Sequence, residues 1–308
     1  MTVRVAIPDL ISPSYFPAIA AVELGYFKRE GLDASIELLF PVTRTYEELR
    51  DGRLDFVAGA AHAPLYAFKN WSGCKLLAAL AQHMYWFLVL RKDIPARRGD
   101  LSALRGLRIG AAPGPVDGLT RMLVEAGIDP KRDVQIGPVP GTAGSGVSFG
   151  VAAAKALEEG KLDGFWANGM GAEIAVRSGA GALVLDARRG DGPPAARDYT
   201  FPAFVTTQKK IDEEPDVVAA AVRALIGAQQ ALKRDPGLAT EAGRKLFPAA
   251  EAGLIAELIR RDAPFYDASI STHSVDALNS FARDLGILSG TAPYEQVVAT
   301  RFRHLWKA

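Results

Sequence analysis

The sequence predicts an α/β protein of two lobes. Each lobe is built on a parallel-rich sheet, two crossing strands form a hinge, and a helical C-terminal tail lies on the first lobe. Three observations predict this. A short phrase occurs twice; strand and helix patterns alternate up to residue 207; and from Pro215 onward the periodicity is purely helical. The phrase runs first over 46–60 and again over 154–168. Aligned on Gly52 and Gly160, both copies read Leu-x-x-Gly-basic-Leu-Asp, then small and aromatic residues. Each copy predicts a helix that stops at a glycine able to turn left-handed, followed by a buried strand. The small residues ending each copy then fall at strand carboxyl ends, where open α/β sheets bind ligands.

The elements follow in order. Residues 3–8 read as the first strand, 9–14 as its loop, and 15–24 as a helix whose extension stops at Gly31. Residues 34–39 are the second strand, and the first phrase supplies a helix and the strand 54–59. Residues 63–70 predict a helix, 75–80 a strand, and 83–90 a long strand leaving the first lobe. The polar, basic run 91–105 reads as the entry to the second lobe. There 108–112 is a strand whose Pro-Gly loop runs into a helix amino terminus, a place that favours an anionic or accepting group. Residues 134–136 form the next strand, and the glycine-rich loop 141–150 leads into the second phrase. Residues 182–185 close the lobe, and 188–197 read as an exposed loop. Residues 199–207 predict the returning strand. Segments 217–233, 236–246, 250–262 and 274–285 are helical, each bounded by Pro, Gly or capping residues. The expected lobes are 1–90 with 200–308, and 91–199.

Composition narrows the function. The 308 residues suit two cores, and a net charge of +1 gives no reason to expect nucleic acid or a membrane surface as partner. Four scattered histidines and the single Cys74 argue against a metal site and a disulfide framework, and no cofactor is expected. No stretch approaches the roughly 20 apolar residues that span a bilayer. Nothing before residue 2 resembles a leader. The chain is therefore expected to be cytoplasmic if Met1 is the native start, and periplasmic or otherwise extracytoplasmic if a leader has been removed.

The strand ends name the candidate ligand contacts. On the first lobe these are Ser12, Ser14, Tyr15, Phe16, Ala60, His62, Gln82 and His83. On the second they are Gly114, Val116, Asp117, Trp166 and Asn168, with Tyr199 near the crossing. The two serines could donate to a ligand or cap the first helix. His62 could donate to an anion or ring nitrogen or sit satisfied in the interior. Trp166 could stack on a planar ligand or fill the core, and Asp117 could contact ligand or compensate a helix dipole. Arg44, beside Tyr46, could pair with an anion or be solvated. Tyr85 and Trp86 read as core. Asp55 and Asp163 invite a catalytic reading, but their equivalent places at strand amino ends suit strand entry instead.

Four phrases carry a family resemblance: 21–32 (Ala-Val-Glu-Leu-Gly-Tyr-Phe-Lys-Arg-Glu-Gly-Leu), Leu49-x-x-Gly52-x-Leu54-Asp55, the run 100–110 (Asp-Leu-x-x-Leu-Arg-Gly-Leu-Arg-Ile-Gly), and Leu157-x-x-Gly160-x-Leu162-Asp163. In order and spacing the chain resembles the substrate-binding proteins of ABC importers, of the nitrate/sulfonate/taurine and thiamine-precursor class (NMT1/THI5-like, SsuA-like). The resemblance implies a type II periplasmic-binding-protein-like fold, a ligand trapped in an inter-lobe cleft by hinge closure, and transfer to a membrane permease. The chain is expected to be a monomer, and no residue is assigned a catalytic role. The few charges and several aromatics at the expected cleft favour an aromatic or heterocyclic ligand, or an organic anion such as a sulfonate, carboxylate or pyrimidine. The same resemblance includes cytosolic desulfinases and pyrimidine synthases, so an enzyme on this fold and a soluble ligand sensor are the alternatives. A desulfinase needs a cleft cysteine, and Cys74 is expected on the wrong side of its strand.

Overall fold

The computed structural model describes residues 1–142 and 148–307. Half of the glycine-rich loop expected over 141–150, residues 143–147, therefore lies outside the described residues. The chain divides into one unit of residues 1–82 and 200–308 and a second of residues 83–199.

In the first unit, β1 (Thr2–Ile7), β2 (Asp33–Leu38), β3 (Phe56–Ala60) and β4 (Cys74–Ala79) come from the first 80 residues. The second unit holds β5 (Phe87–Arg91), β6 (Arg108–Ala111), β7 (Gln135–Gly137), β8 (Gly164–Ala167) and β9 (Gly181–Asp186). After the return crossing, β10 (Pro202–Thr207) completes the first sheet. The sheet orders are β2-β1-β3-β10-β4 and β7-β6-β8-β5-β9. The first three strands of each are parallel, and the fourth is antiparallel to both neighbours. The two sheets thus share one plan, and in each the fourth place is taken by the strand that enters just after a crossing.

The repeated phrase explains the shared plan. Gly52 and Gly160 both end their helices in the left-handed region, at φ +75° and +70°, where a side chain would be strained. The strands that follow are buried on both faces, β3 and β8 alike, as strands covered on both sides must be. In the first unit Phe56 of β3 stacks on Phe204 of β10 with ring centroids 5.0 Å apart. In the second, Phe165 joins Phe87, Val89, Phe149, Leu157 and Leu162 in one apolar core.

The tail is helical over Pro215–Arg234, Leu238–Leu246, Ala249–Asp262 and Thr272–Asp284. It packs on the first unit, where Arg223 pairs with Glu30 at 2.7 Å and Lys245 donates to the Glu23 carbonyl at 2.7 Å.

Four expectations need correction. Residues 63–70 are not one helix but two short turns, Ala63–Tyr66 and Lys69–Trp71: Phe68 at φ −119° and ψ 85° leaves the helical region between them, and Asn70 and Trp71 at φ 52° and 62° stop any continuation. The crossings are not strands: β5 begins at Phe87 and β10 at Pro202, and His83 at φ +66° excludes extended backbone there. Residues 83–90, expected with the first lobe, lie in the second unit, because Phe87–Leu90 fill the slot between β8 and β9. The run 91–105 consequently stays inside the second unit. Finally, 188–197 is not wholly exposed, since Arg188 is only 2 % exposed.

Candidate functional site

In the first unit β1, β3 and β4 point the same way, so their carboxyl ends share one edge with the residues entering β10. That edge gathers the loop after β1, then Ala60 to His62, Gln82 and Thr200. Ser12 is fully buried, and its hydroxyl has no hydrogen-bond partner among the described residues. The following helix, Phe16–Glu23, starts at Tyr15 without a side-chain cap, so helix capping does not account for the Ser12 hydroxyl. Tyr266 pins the loop by donating to the Pro13 carbonyl at 2.7 Å, and Asp9 accepts the Ile11 N–H at 3.0 Å. Ser14 and Tyr15 are buried beside them, and Phe16 packs edge-on against Phe247 at 6.0 Å.

The other first-unit candidates have internal work. The Ala60 carbonyl accepts the Tyr46 hydroxyl at 3.2 Å. Burial, reinforced by neighbouring Tyr15, pushes the Tyr46 phenol well above its ordinary pKa, which keeps it a neutral donor. His62 is fully buried, with Nδ1 3.0 Å from the Thr200 hydroxyl and its ring edge-to-face with Phe281. Both amide hydrogens of Gln82 go to carbonyls, those of Asp267 and Ser269, each at 2.8 Å.

The second unit repeats the arrangement, with the carboxyl ends of β6, β8 and β9 beside the entry to β5. Gly114, at φ +90°, turns the chain into the helix Pro115–Glu125, whose first turn holds Val116 and Asp117. The Asp117 carboxylate therefore sits where it compensates the helix dipole. Trp166 is fully buried and donates its indole N–H to the Pro115 carbonyl at 2.9 Å; its ring lies 6.3 Å from that of Trp86. Asn168 caps the helix Gly169–Arg177, accepting the N–H groups of Met170 and Gly171 at 3.0 and 3.2 Å. Tyr199 is buried at the end of the turn Pro194–Asp198.

His83 belongs to this second edge. Its Nδ1 lies 2.7 Å from Asp198 Oδ1, and its Nε2 lies 2.9 Å from Arg197 Nη2. A guanidinium only donates, so Nε2 accepts and the proton sits on Nδ1. Burial lowers the pKa of this ring, Asp198 raises it, and the charges of Arg197 and Arg188 lower it again. The lowering prevails, and the imidazole is neutral at neutral pH. Arg188 lies two residues past the end of β9, so a buried guanidinium stands at the same sheet edge.

Among the described residues, no cluster of His, Cys, Asp and Glu could hold a metal ion, and no helix is long and apolar enough to cross a membrane.

The model of the family described as NMT1/THI5 like matches residues 12–239, which is most of the chain. The chain belongs to the NMT1/THI5-like family. Solved structures agree on the fold. The alkanesulfonate-binding protein SsuA from Xanthomonas axonopodis pv. citri, bound to MOPS, superposes with a TM-score of 0.71 at 14% identity, covering 98% of this chain and 97% of that one. The periplasmic nitrate-binding protein NrtA from Synechocystis PCC 6803 gives 0.70 at 15%, covering 99% and 87%. The desulfurization enzyme DSZB gives 0.67 at 15%, covering 98% and 97%. The fold is thus periplasmic-binding-protein-like. The comparison with curated proteins returned no match.

In this NMT1/THI5-like chain, sequence reasoning missed Arg188, Arg197 and Asp198 at the second edge and undervalued Tyr46 at the first. Arg188 carried no signal, because a Gly, Pro and Arg-rich stretch reads as solvated. Asn168 did carry one: an asparagine directly before a helical run is a preferred cap.

Proposed function

We propose that this NMT1/THI5-like chain is the solute-binding receptor of an ABC importer. Loops at the carboxyl ends of its two sheets take a small organic ligand, and hinge closure traps it. The ligand is aromatic or heterocyclic, or an organic anion such as a sulfonate, carboxylate or pyrimidine. The receptor acts as a monomer outside the cytoplasm and hands its ligand to a permease. The single observation that carries the reading is the Ser12 hydroxyl, buried in the loop after β1 with no hydrogen-bond partner among the described residues. Orphaned buried donors are costly, and a ligand acceptor at this edge satisfies it. The buried guanidinium of Arg188 at the second edge adds support for an anionic group. The names of SsuA and NrtA, both binding proteins, favour the same class.

The likeness to DSZB raises a desulfinase as the rival. Cys74 is fully buried, begins β4 and so stands at the opposite edge of the sheet, and burial pushes its thiol up to about 12. A thiol so placed supplies no thiolate nucleophile.

The test is titration calorimetry of the purified chain against a panel of sulfonates, aromatic acids, pyrimidines and small oxyanions, alongside mass spectrometry of any ligand released on denaturation. Saturable binding of one class with no product formed is the expected result. Turnover of a bound compound would reject the proposal.

A further inference from the structure

The chain leaves the first unit between Gln82 and His83 and returns between Tyr199 and Thr200. Within the second unit these two passages are stitched side by side. The Met84 N–H donates to the Arg197 carbonyl at 2.8 Å. One residue away, the His83 ring is held between Asp198 at 2.7 Å and the Arg197 guanidinium at 2.9 Å. His83 itself has a left-handed backbone at φ +66°, a conformation that needs its surroundings to hold it.

We propose that His83 is a proton-sensitive clasp on the two chain crossings. At neutral pH the ring donates from Nδ1 to Asp198 and accepts from Arg197 at Nε2, so one imidazole binds both neighbours of the returning passage. A proton taken from solvent at Nε2 turns that acceptor into a donor. The hydrogen bond from Arg197 is then lost and two cations face each other, while the bond to Asp198 remains. The charged groups around the ring are Asp198, Arg197 and Arg188: one carboxylate against two guanidinium groups. The protonated ring is therefore opposed by the charges of Arg197 and Arg188; it keeps its bond to Asp198 but no longer ties down the Arg197 side chain beside the Met84 stitch. The folded chain binds this proton less readily than the unfolded chain, so the contribution is complete above the ordinary histidine value of 6.5 and is lost as pH falls below it. The device acts on the chain crossings whatever the ligand is, and does not depend on the proposed function.

Amide hydrogen exchange of the ligand-free chain, corrected for intrinsic rates, tests it. Protection at Met84 should fall at least about tenfold between about pH 7.5 and about pH 5. In His83→Asn, whose side chain tolerates the left-handed backbone and does not titrate, the change should stay below about twofold. Arg197→Met leaves the ring titratable but removes the opposing donor, and should also be insensitive. Nitrogen NMR of the ring supplies a second readout, with Nε2 unprotonated near neutral pH. The proposal is overturned by an unchanged Met84 in the native chain, by equal pH sensitivity in either variant, or by a ring protonated at neutral pH.

Discussion

The Asp163 carboxylate accepts the backbone N–H of Arg108 at 2.9 Å and also grips its guanidinium through both oxygens, each at 2.9 Å. Asp55 does the equivalent in the first unit, accepting the Arg4 N–H at 2.7 Å and pairing with Lys210 at 2.9 Å. The repeated aspartate is therefore a cross-strand latch that fastens the entry of β3 to β1 and the entry of β8 to β6. Asp163→Ala should destabilise the chain by about 2 kcal/mol, the scale of charge-assisted hydrogen bonds partly shielded from water. Urea unfolding followed by fluorescence checks this. A change within about 0.5 kcal/mol would mean that the latch is decorative.

The same latch sets an acid limit. Chiefly through its hydrogen bond to Arg108, the Asp163 carboxyl is lowered from 3.8 to about 2. Its folded pKa lies below the unfolded one, so its contribution is complete above the unfolded value and is lost as pH falls toward 2. The stability gap between the native chain and Asp163→Asn should narrow across that window. A gap constant with pH would show that the carboxylate is not the stabilising form.

Ser12→Ala removes a hydroxyl that makes no hydrogen bond among the described residues. Thermal stability of the ligand-free chain should change by less than about 0.5 kcal/mol or rise slightly, because the desolvation cost of an unsatisfied donor disappears. Affinity for the ligand found by calorimetry should fall about tenfold. Lost stability with unchanged affinity would make Ser12 a folding residue only.

Gly171 admits no side chain, because a Cβ there would strike the Gly150 carbonyl where the helices Phe149–Glu158 and Gly169–Arg177 meet. Overpacking against backbone has no flexible neighbour to yield, so Gly171→Ala should cost about 1–3 kcal/mol. Gly253, whose Cβ would meet nothing within 4 Å, is the control. Its replacement by alanine in the middle of the helix Ala249–Asp262 should be neutral or stabilising.

Cys74 should resist alkylation in the native state and react fully once the chain is unfolded in urea, since burial both shields the sulfur and raises its pKa to about 12. Rapid native-state labelling near neutral pH would contradict this and reopen thiol chemistry.

How much the sequence revealed depended on whether a residue acts locally. Leu-x-x-Gly-basic-Leu-Asp encodes a helix, its stop and the strand after it within seven residues, and both copies fold that way. The tail helices were equally legible from caps and periodicity. The turns at Asn70, Trp71 and His83 were not, because positive φ at a non-glycine residue is imposed by packing. At the candidate site, position was legible and partnership was not. Strand ends pointed to Ser12, His62 and Asn168 alike, yet only the folded structure reveals that Asn168 accepts from two helix amides, His62 sits against Thr200, and the Ser12 hydroxyl has no partner among the described residues. Arg188 went unseen because an arginine in a Gly- and Pro-rich stretch reads as solvated, whereas the fold buries it.

The fourth position in each sheet has a bearing on how the protein is made. Between β3 and β4 lies a slot that only β10 fills, and the ribosome does not deliver β10 until residues 83–199 have already emerged. The inserted unit owns all five of its strands and can mature during synthesis. The outer one must wait with an open seam of unpaired backbone on β3 and β4. A nascent chain stalled near residue 200 should therefore expose that seam to chaperones or to other copies, whereas one released after residue 207 carries its own closure.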